Sequence, residues 1–295
     1  MRRDQRAART NGGVRPTRRG GNSRSTTARS STARSSREPA VAQQSTRIET
    51  KPIRQYTVAG AVKVWAAAAL PMGALSWAFA PWLASQLSGP GALVRALLTA
   101  LTIGLAWQFA LVLILVRREQ GTLRWRVVKD ALWLHAPRNP RTGRRGGRLW
   151  WILLPLILAF AAREALPKPP IPVARDLAVF MESAAGQNML SGNWGLFALF
   201  AAMGLFNTVL GEELLFRGWL LPRMQTLLGG RGWILNGALF AAYHLHVPWA
   251  MPKALLHMVL TAYPTQRYRS AWIGIAVHSS ETVVITALVL ALTLR

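Results

Sequence analysis

The chain has 295 residues, no cysteine and a formal net charge of +25, although 51% of its residues are hydrophobic. The lack of cysteine excludes disulfides, thiolate nucleophiles, iron–sulfur clusters and cysteine-ligated zinc sites. Charged and hydrophobic residues occupy different stretches, which is typical of a membrane protein with basic loops. Arg outnumbers Lys and Ala is abundant, as in GC-rich bacterial genomes, so we expect a multi-pass protein of a bacterial cell (plasma) membrane.

Residues 1–55 contain few large apolar side chains and are rich in Arg, Ser, Thr and Gly. Such a segment cannot bury enough surface to offset the entropy lost on ordering, so it is predicted to be a disordered tail. It has no apolar stretch followed by a small-residue cleavage site and does not resemble a signal peptide. A basic tail could bind nucleic acid, but the apolar segments that follow favour anionic lipid headgroups as its partner.

Seven segments are apolar and approach the length of about 20 residues that a helix needs to cross a bilayer. They cover residues 64–87, 96–116, 149–166, 194–216, 233–247, 250–263 and 271–293. Alternating spans place the tail, the basic loop 117–148 and the later Arg residues on one side, as the positive-inside rule requires. The sequence therefore predicts an all-α, polytopic transmembrane helical bundle of about seven spans with a cytoplasmic N-terminus.

This pattern divides the chain into three parts. They are a tail at residues 1–55, N-terminal transmembrane helices at 56–193 that include the basic cytoplasmic loop 117–148, and a catalytic core at 194–295. Apolar residues in the basic loop recur at roughly helical spacing, which indicates a helix in the membrane interface. We expect the loop, like the tail, to contact anionic headgroups.

Two adjacent carboxylates, Glu212 and Glu213, lie inside an otherwise apolar run of the fourth span. Charged residues at membrane depth are costly and usually serve chemistry, transport or pairing. Arg217 follows Glu213 by four residues, the spacing of a stabilising ion pair on a helix. Glu212, on the adjacent face above Thr208, has no such partner. A carboxylate in that setting is a candidate general base.

Two histidines lie in later apolar segments. His244 ends the run Phe-Ala-Ala-Tyr-His, and His278 lies in the last span. Glu281 and Thr282 follow His278 by three and four residues, so one helical face presents an imidazole, a hydroxyl and a carboxylate. We interpret the other histidines as structural: His135 and His246 as interfacial residues and His257 as a hydrogen-bonded packing residue.

Glu212-Glu213-Leu-Leu-Phe-Arg217, Phe240-Ala-Ala-Tyr-His244 and His278 resemble, in this order, the three motifs of the CAAX prenyl endopeptidase and bacteriocin-processing (CPBP, Abi-type) family of intramembrane proteases. The resemblance covers roughly residues 194–290. That family usually has Asn or Asp four residues after the last histidine, where this chain has Thr282.

The resemblance implies hydrolysis of a peptide bond without a covalent enzyme intermediate, in a membrane-associated peptide or protein. Glu212 and His244 would activate a water, and His278 assisted by Thr282 would stabilise the oxyanion. Glu213 and Arg217 would support the site. Family members are commonly called metalloproteases, so Glu212, His244 and His278 are also candidate ligands of a divalent metal such as zinc.

Two other classes of function fit parts of the pattern. In a proton- or ion-coupled transporter, the glutamate and the two histidines would form a relay, although no internal repeat is visible. A catalytically silent membrane immunity or scaffold protein would agree with Thr282 at the position of the family's usual Asn or Asp, and with the long basic tail.

Overall fold

The computed structural model of the chain describes residues 50–167 and 169–295. The predicted disordered tail falls almost entirely on residues outside this part. Residues 50–57 have no regular secondary structure but pack on the helices, since the backbone N–H of Lys51 donates to Gln120 Oε1 at 3.0 Å and that of Tyr56 to the Arg223 carbonyl at 2.7 Å.

The described residues form helices and no strands, which confirms the predicted all-α architecture. The main helices are α1 (Val58–Gln86), α2 (Ala92–Gln120), α3 (Trp125–Ala131), α4 (Leu153–Ala162), α5 (Leu177–Glu182), α6 (Ala184–Leu190), α7 (Trp194–Arg223), α8 (Gly232–Tyr243), α9 (Met251–Ala254), α10 (Tyr263–Tyr268) and α11 (Ala271–Thr293). Short 3₁₀ segments occur at Gly147–Ile152, Arg163–Ala165, Val173–Arg175, Leu227–Gly230, His244–His246 and Pro248–Ala250, and π turns at Leu75–Phe79, Phe206–Gly211, Leu214–Leu220 and Met258–Ala262.

Four of the described helices are long and apolar enough to cross a membrane: α1, α2, α7 and α11. The other three predicted spans are built from shorter pieces. Pro248 and Pro252 interrupt the region between α8 and the π turn Met258–Ala262, because proline cannot donate the backbone hydrogen bond of a helix interior. The number of seven spans and the cytoplasmic N-terminus remain predictions.

Helix α7 is central to the core, and its residues 211–223 are buried. It lies close to α2 because position 211 is a glycine, where an added Cβ atom would lie 3.0 Å from the carbonyl oxygen of Leu105. Its buried end is fixed by Arg223, whose guanidinium pairs with Glu119 of α2 at 2.6 Å and lies over the Trp219 ring. The middle of α7 is therefore held in a fixed position, and it carries the glutamate pair.

The predicted interfacial helix of the basic loop corresponds to α3. Its apolar residues Val127, Val128 and Ala131 are buried, and Val128 belongs to the main hydrophobic core. The exposed face carries Arg124 and Arg126. The loop is thus anchored on the protein body by its apolar side.

Candidate active site

The glutamate pair lies at an irregular part of α7. The backbone N–H of Glu212 donates to the carbonyl of Asn207, five residues earlier, instead of to Thr208. This π turn places Asn207 below Glu212, and such turns are frequent at functional sites. The sequence-based expectation of Thr208 at that place is wrong, because the expectation assumed regular α spacing. The Thr208 hydroxyl instead donates to the Gly204 carbonyl and accepts from Ser279 of α11.

The predicted pair of Glu213 and Arg217 is formed and completely buried, with Arg217 Nη1 3.2 Å from Glu213 Oε1. Arg217 also donates to the Thr261 hydroxyl at 2.6 Å, and its guanidinium lies 4.0 Å from the centre of the Phe240 ring. The same Glu213 oxygen accepts from His278 Nδ1 at 3.0 Å. Glu213 therefore positions both the arginine and a histidine that the sequence had linked to the chemistry.

Glu212, His244 and His278 line one cavity of about 310 Å³, so residues from α7, from the turn after α8 and from α11 converge. The ring of Phe240 packs between the histidines, with its centre 4.9 Å from that of His244 and 6.0 Å from that of His278. His244 Nδ1 lies 2.9 Å from the Phe240 carbonyl, which can only accept. The proton is therefore on Nδ1, and Nε2 retains its lone pair.

Glu212 is only 2% exposed. The hydroxyl of Tyr243 interacts with its carboxylate, and that hydroxyl accepts a hydrogen bond of 2.5 Å from Gln108 of α2. Glu212 Oε2 has no hydrogen-bond partner within the described part of the chain. One side of the carboxylate is thus oriented by the protein, while an acceptor oxygen remains for a water molecule.

The residues after His278 face different cavities. Glu281 lines the cavity of Glu212 and pairs with Arg163. Thr282 lines a neighbouring apolar cavity of about 650 Å³, where its methyl group packs against Gly204 so closely that a Cβ atom there would lie 2.7 Å away. Asn207 lines both cavities. Asn207 therefore brings a carboxamide to the candidate site, whereas Thr282, predicted from the third motif, lines only the neighbouring cavity.

His257 was interpreted as a packing residue, and the structure places it in the wall of the same cavity. Its ring centre is 4.7 Å from that of His278, and Arg163 Nη1 lies 2.8 Å from its Nε2. No sequence signal identified it, because its segment is apolar and the turns around it are irregular. His246 is buried within the protein, stacks on His244 at 5.5 Å and is not among the residues of the cavity wall; its interfacial position stays a prediction.

Within the described residues, one buried group has the spacing of metal ligands, and it consists of Glu213, His257 and His278. The predicted set of Glu212, His244 and His278 lines one cavity, but its donor atoms do not come equally close together. The observed group does not fit a divalent ion as arranged. Arg163 donates to His257 Nε2, so the lone pair of that nitrogen is occupied and the proton of the ring is on Nδ1. Neither nitrogen of His257 is then available to a metal. Arg217 adds a second guanidinium beside Glu213.

Residues 193–284 match the family model for the type II CAAX prenyl endopeptidase Rce1-like domain. This segment contains the glutamate pair and all three histidines of the cavity, so the resemblance inferred from the motifs is confirmed over about a third of the chain. Together with the apolar helices, it supports a membrane protein of a protease family. No curated protein and no solved structure matches the chain.

Proposed function

We propose that this protein is an intramembrane endopeptidase that hydrolyses peptide bonds with a water activated by Glu212 and His244. The observation that carries the proposal is the shared cavity of Glu212, His244 and His278 inside the segment that matches a protease family. A carboxylate and imidazoles around one polar cavity are the groups that general acid–base hydrolysis needs.

Glu212 acts as the general base. It takes a proton from a water that also donates to the free Nε2 of His244, and the resulting hydroxide attacks the scissile carbonyl carbon. Glu212 then gives the proton to the amide nitrogen as the C–N bond breaks, which leaves a carboxylic acid and an amine. Tyr243 and Gln108 keep the carboxylate in place during both transfers, which reduces the reorganisation that each transfer requires.

His278 stabilises the oxyanion. Its Nδ1 donates to Glu213. To donate to the oxyanion from Nε2 as well, the ring carries a proton on both nitrogens and a positive charge, which the Glu213 carboxylate offsets. The sequence suggested Thr282 as a second donor. We favour Asn207, because its carboxamide lines the cavity of His278 and offers two N–H donors.

The surroundings of the cavity support a membrane-associated peptide or protein as the substrate. The neighbouring cavity of about 650 Å³ is lined mainly by apolar residues and shares Asn207 with the candidate site. An apolar part of a membrane-associated peptide or protein could lie there while its peptide bond reaches Glu212. The cellular location that we propose is a bacterial plasma membrane.

The test uses the purified protein in phospholipid vesicles with a library of membrane-anchored peptides, and mass spectrometry of new peptide termini. We expect Glu212→Gln to insert normally and to lower the initial rate at least about a hundredfold, the lower end for a general base. Asp130→Asn is the matched control for the loss of a carboxylate, because Asp130 is exposed on α3 and lines neither the cavity of Glu212 nor the neighbouring apolar cavity.

Full activity of Glu212→Gln would contradict the proposed role. If the wild-type protein produces no new termini but conducts protons in a manner that depends on Glu212, the protein is a transporter. If neither activity is found over a broad peptide library, the scaffold or immunity role is favoured.

A further inference from the structure

A second polar cavity is lined in part by the residues that lead into α11. Its volume is about 570 Å³. Three arginines, two glutamines and two aromatic residues line it: Arg138, Arg267, Arg269, Gln225, Gln266, Trp233 and Tyr263. No carboxylate is among the residues that line it. We call it the arginine cavity.

The backbone around the arginine cavity is strained. Within the described residues, three non-glycine residues have a positive φ angle: Trp133 at 52°, Leu228 at 51° and Arg269 at 48°. Arg269 lines the cavity, Leu228 is in the same turn as the lining residue Gly230, and the Trp133 carbonyl accepts from the backbone of Ala271 at 2.9 Å. Strained residues of this kind cluster at functional sites and ligand clamps.

Hydrogen bonds within the protein hold the backbone around the arginine cavity in this conformation. All of them join the chain segments that carry the arginines to each other or to the turn at Gly230. They are Arg138 N–H to the Tyr268 carbonyl (2.8 Å), Ser270 hydroxyl to the His135 carbonyl (2.6 Å) and Gln266 Nε2 to the Gly230 carbonyl (2.7 Å). The guanidinium groups are therefore carried on a pre-organised frame, which lowers the entropy lost on binding.

Among the described residues, no carboxylate compensates the charge of the arginines. None of the three forms an ion pair with a carboxylate among residues 50–167 and 169–295. Guanidinium groups bind phosphate through paired N–H donors. Three guanidinium groups around one cavity, without a carboxylate partner in the described part of the chain, thus provide a site for a phosphate-containing anion.

The aromatic residues indicate that the anion belongs to a lipid headgroup. The rings of Trp233 and Tyr263 are 5.3 Å apart, and Tyr263 is 45% exposed. Trp and Tyr are enriched at the headgroup level of a bilayer. The cavity also lies on the side that the positive-inside rule assigns to the cytoplasm, where the leaflet carries anionic lipids.

We propose that the arginine cavity binds the phosphate group of an anionic phospholipid headgroup. The phosphate lies among Arg138, Arg267 and Arg269, and the glycerol part lies against the Trp233 and Tyr263 pair. This site goes beyond the proposed protease function and does not depend on it. A soluble phosphate could make the same contacts with the arginines, so the experiment compares a phospholipid with inorganic phosphate.

The test titrates the full-length protein, in neutral detergent, with short-chain phosphatidylglycerol, short-chain phosphatidylcholine or inorganic phosphate, and follows binding by native mass spectrometry. The variant is Arg267→Gln with Arg269→Gly; glycine keeps the positive φ angle at position 269. The matched control is Arg141→Gln with Arg148→Gln, which removes the same charge from exposed positions of the basic loop outside the cavity.

We expect one saturable site for phosphatidylglycerol and weaker binding of phosphatidylcholine. The cavity variant should bind phosphatidylglycerol about 25-fold more weakly, about fivefold per arginine, and the control variant should bind like the wild type. Equal weakening in both variants would show unspecific attraction and overturn the proposal. Inorganic phosphate that binds as tightly as phosphatidylglycerol would overturn the lipid assignment. If the double variant does not fold, Arg138→Gln alone must show about fivefold weaker binding.

Discussion

Replacing Asn207 should damage hydrolysis far more than replacing Thr282, although the family's usual residue stands at the position of Thr282. The π turn Phe206–Gly211 brings Asn207 directly below Glu212, and the Asn207 carboxamide lines the cavity of the candidate site. Thr282 lines the neighbouring apolar cavity and packs against Gly204. We therefore expect the Asn207 side chain, and not that of Thr282, to donate to an oxyanion formed beside His278.

The expected magnitude follows from this difference. Asn207→Leu keeps the size of the side chain and removes its donors, so kcat should fall about 10²–10³-fold, the usual loss for one oxyanion donor. Asn207→Asp also removes both donors and adds a negative charge, so its loss should be at least as large. Thr282→Val should leave kcat nearly unchanged, because the hydroxyl does not reach this cavity. The Michaelis constant should change little in each case, since the oxyanion exists only in the transition state and the intermediate.

The assay is the initial rate of peptide hydrolysis in vesicles, with circular dichroism and thermal unfolding as folding controls. Asn188→Leu is the matched control for the loss of an amide, because Asn188 is exposed on α6 outside the candidate site. A hundredfold loss in Thr282→Val with a fully active Asn207→Leu would refute the reasoning and return the role to the third motif.

Three further predictions concern the residues that support the site and the N-terminal tail. Arg217→Ala should destabilise the protein by about 3–5 kcal/mol, because Glu213 would stay buried without its partner; a variant with the wild-type unfolding midpoint but no activity would instead assign Arg217 to the substrate. Tyr243→Phe should lower kcat while preserving the fold, since it removes the hydroxyl that links Gln108 to Glu212; unchanged pH–rate profiles and rates would show that this contact does not position Glu212. Deleting residues 2–47 should leave membrane insertion and hydrolysis intact, because the described contacts of the chain with the helices begin at Lys51. A deletion variant that no longer inserts into the membrane or no longer hydrolyses peptides would contradict this.

The sequence predicted those parts of the site that depend on regular helical spacing. Glu213 and Arg217 are four residues apart, and they pair as the spacing indicates. Glu212, His244 and His278 were recognised because polar residues in apolar segments are conspicuous. The positions of Asn207 and His257 could not be predicted in the same way. Both depend on helix irregularities, a π turn in one case and short turns between prolines in the other, that result from packing and leave no periodic signal.

The two adjacent glutamates show how one short sequence can serve two purposes in a membrane. Their side chains leave the helix about 100° apart, so one faces Arg217 and the other faces Tyr243. Glu213 Oε1 pairs with Arg217 and accepts from His278, so Glu213 connects the structural pair to the histidine on α11. Glu212 keeps an oxygen without a partner among the described residues, at a position where Asn207, His244 and His278 meet. A buried ion pair beside a carboxylate that lines the cavity is the arrangement expected if the ion pair fixes the geometry in which that carboxylate reacts.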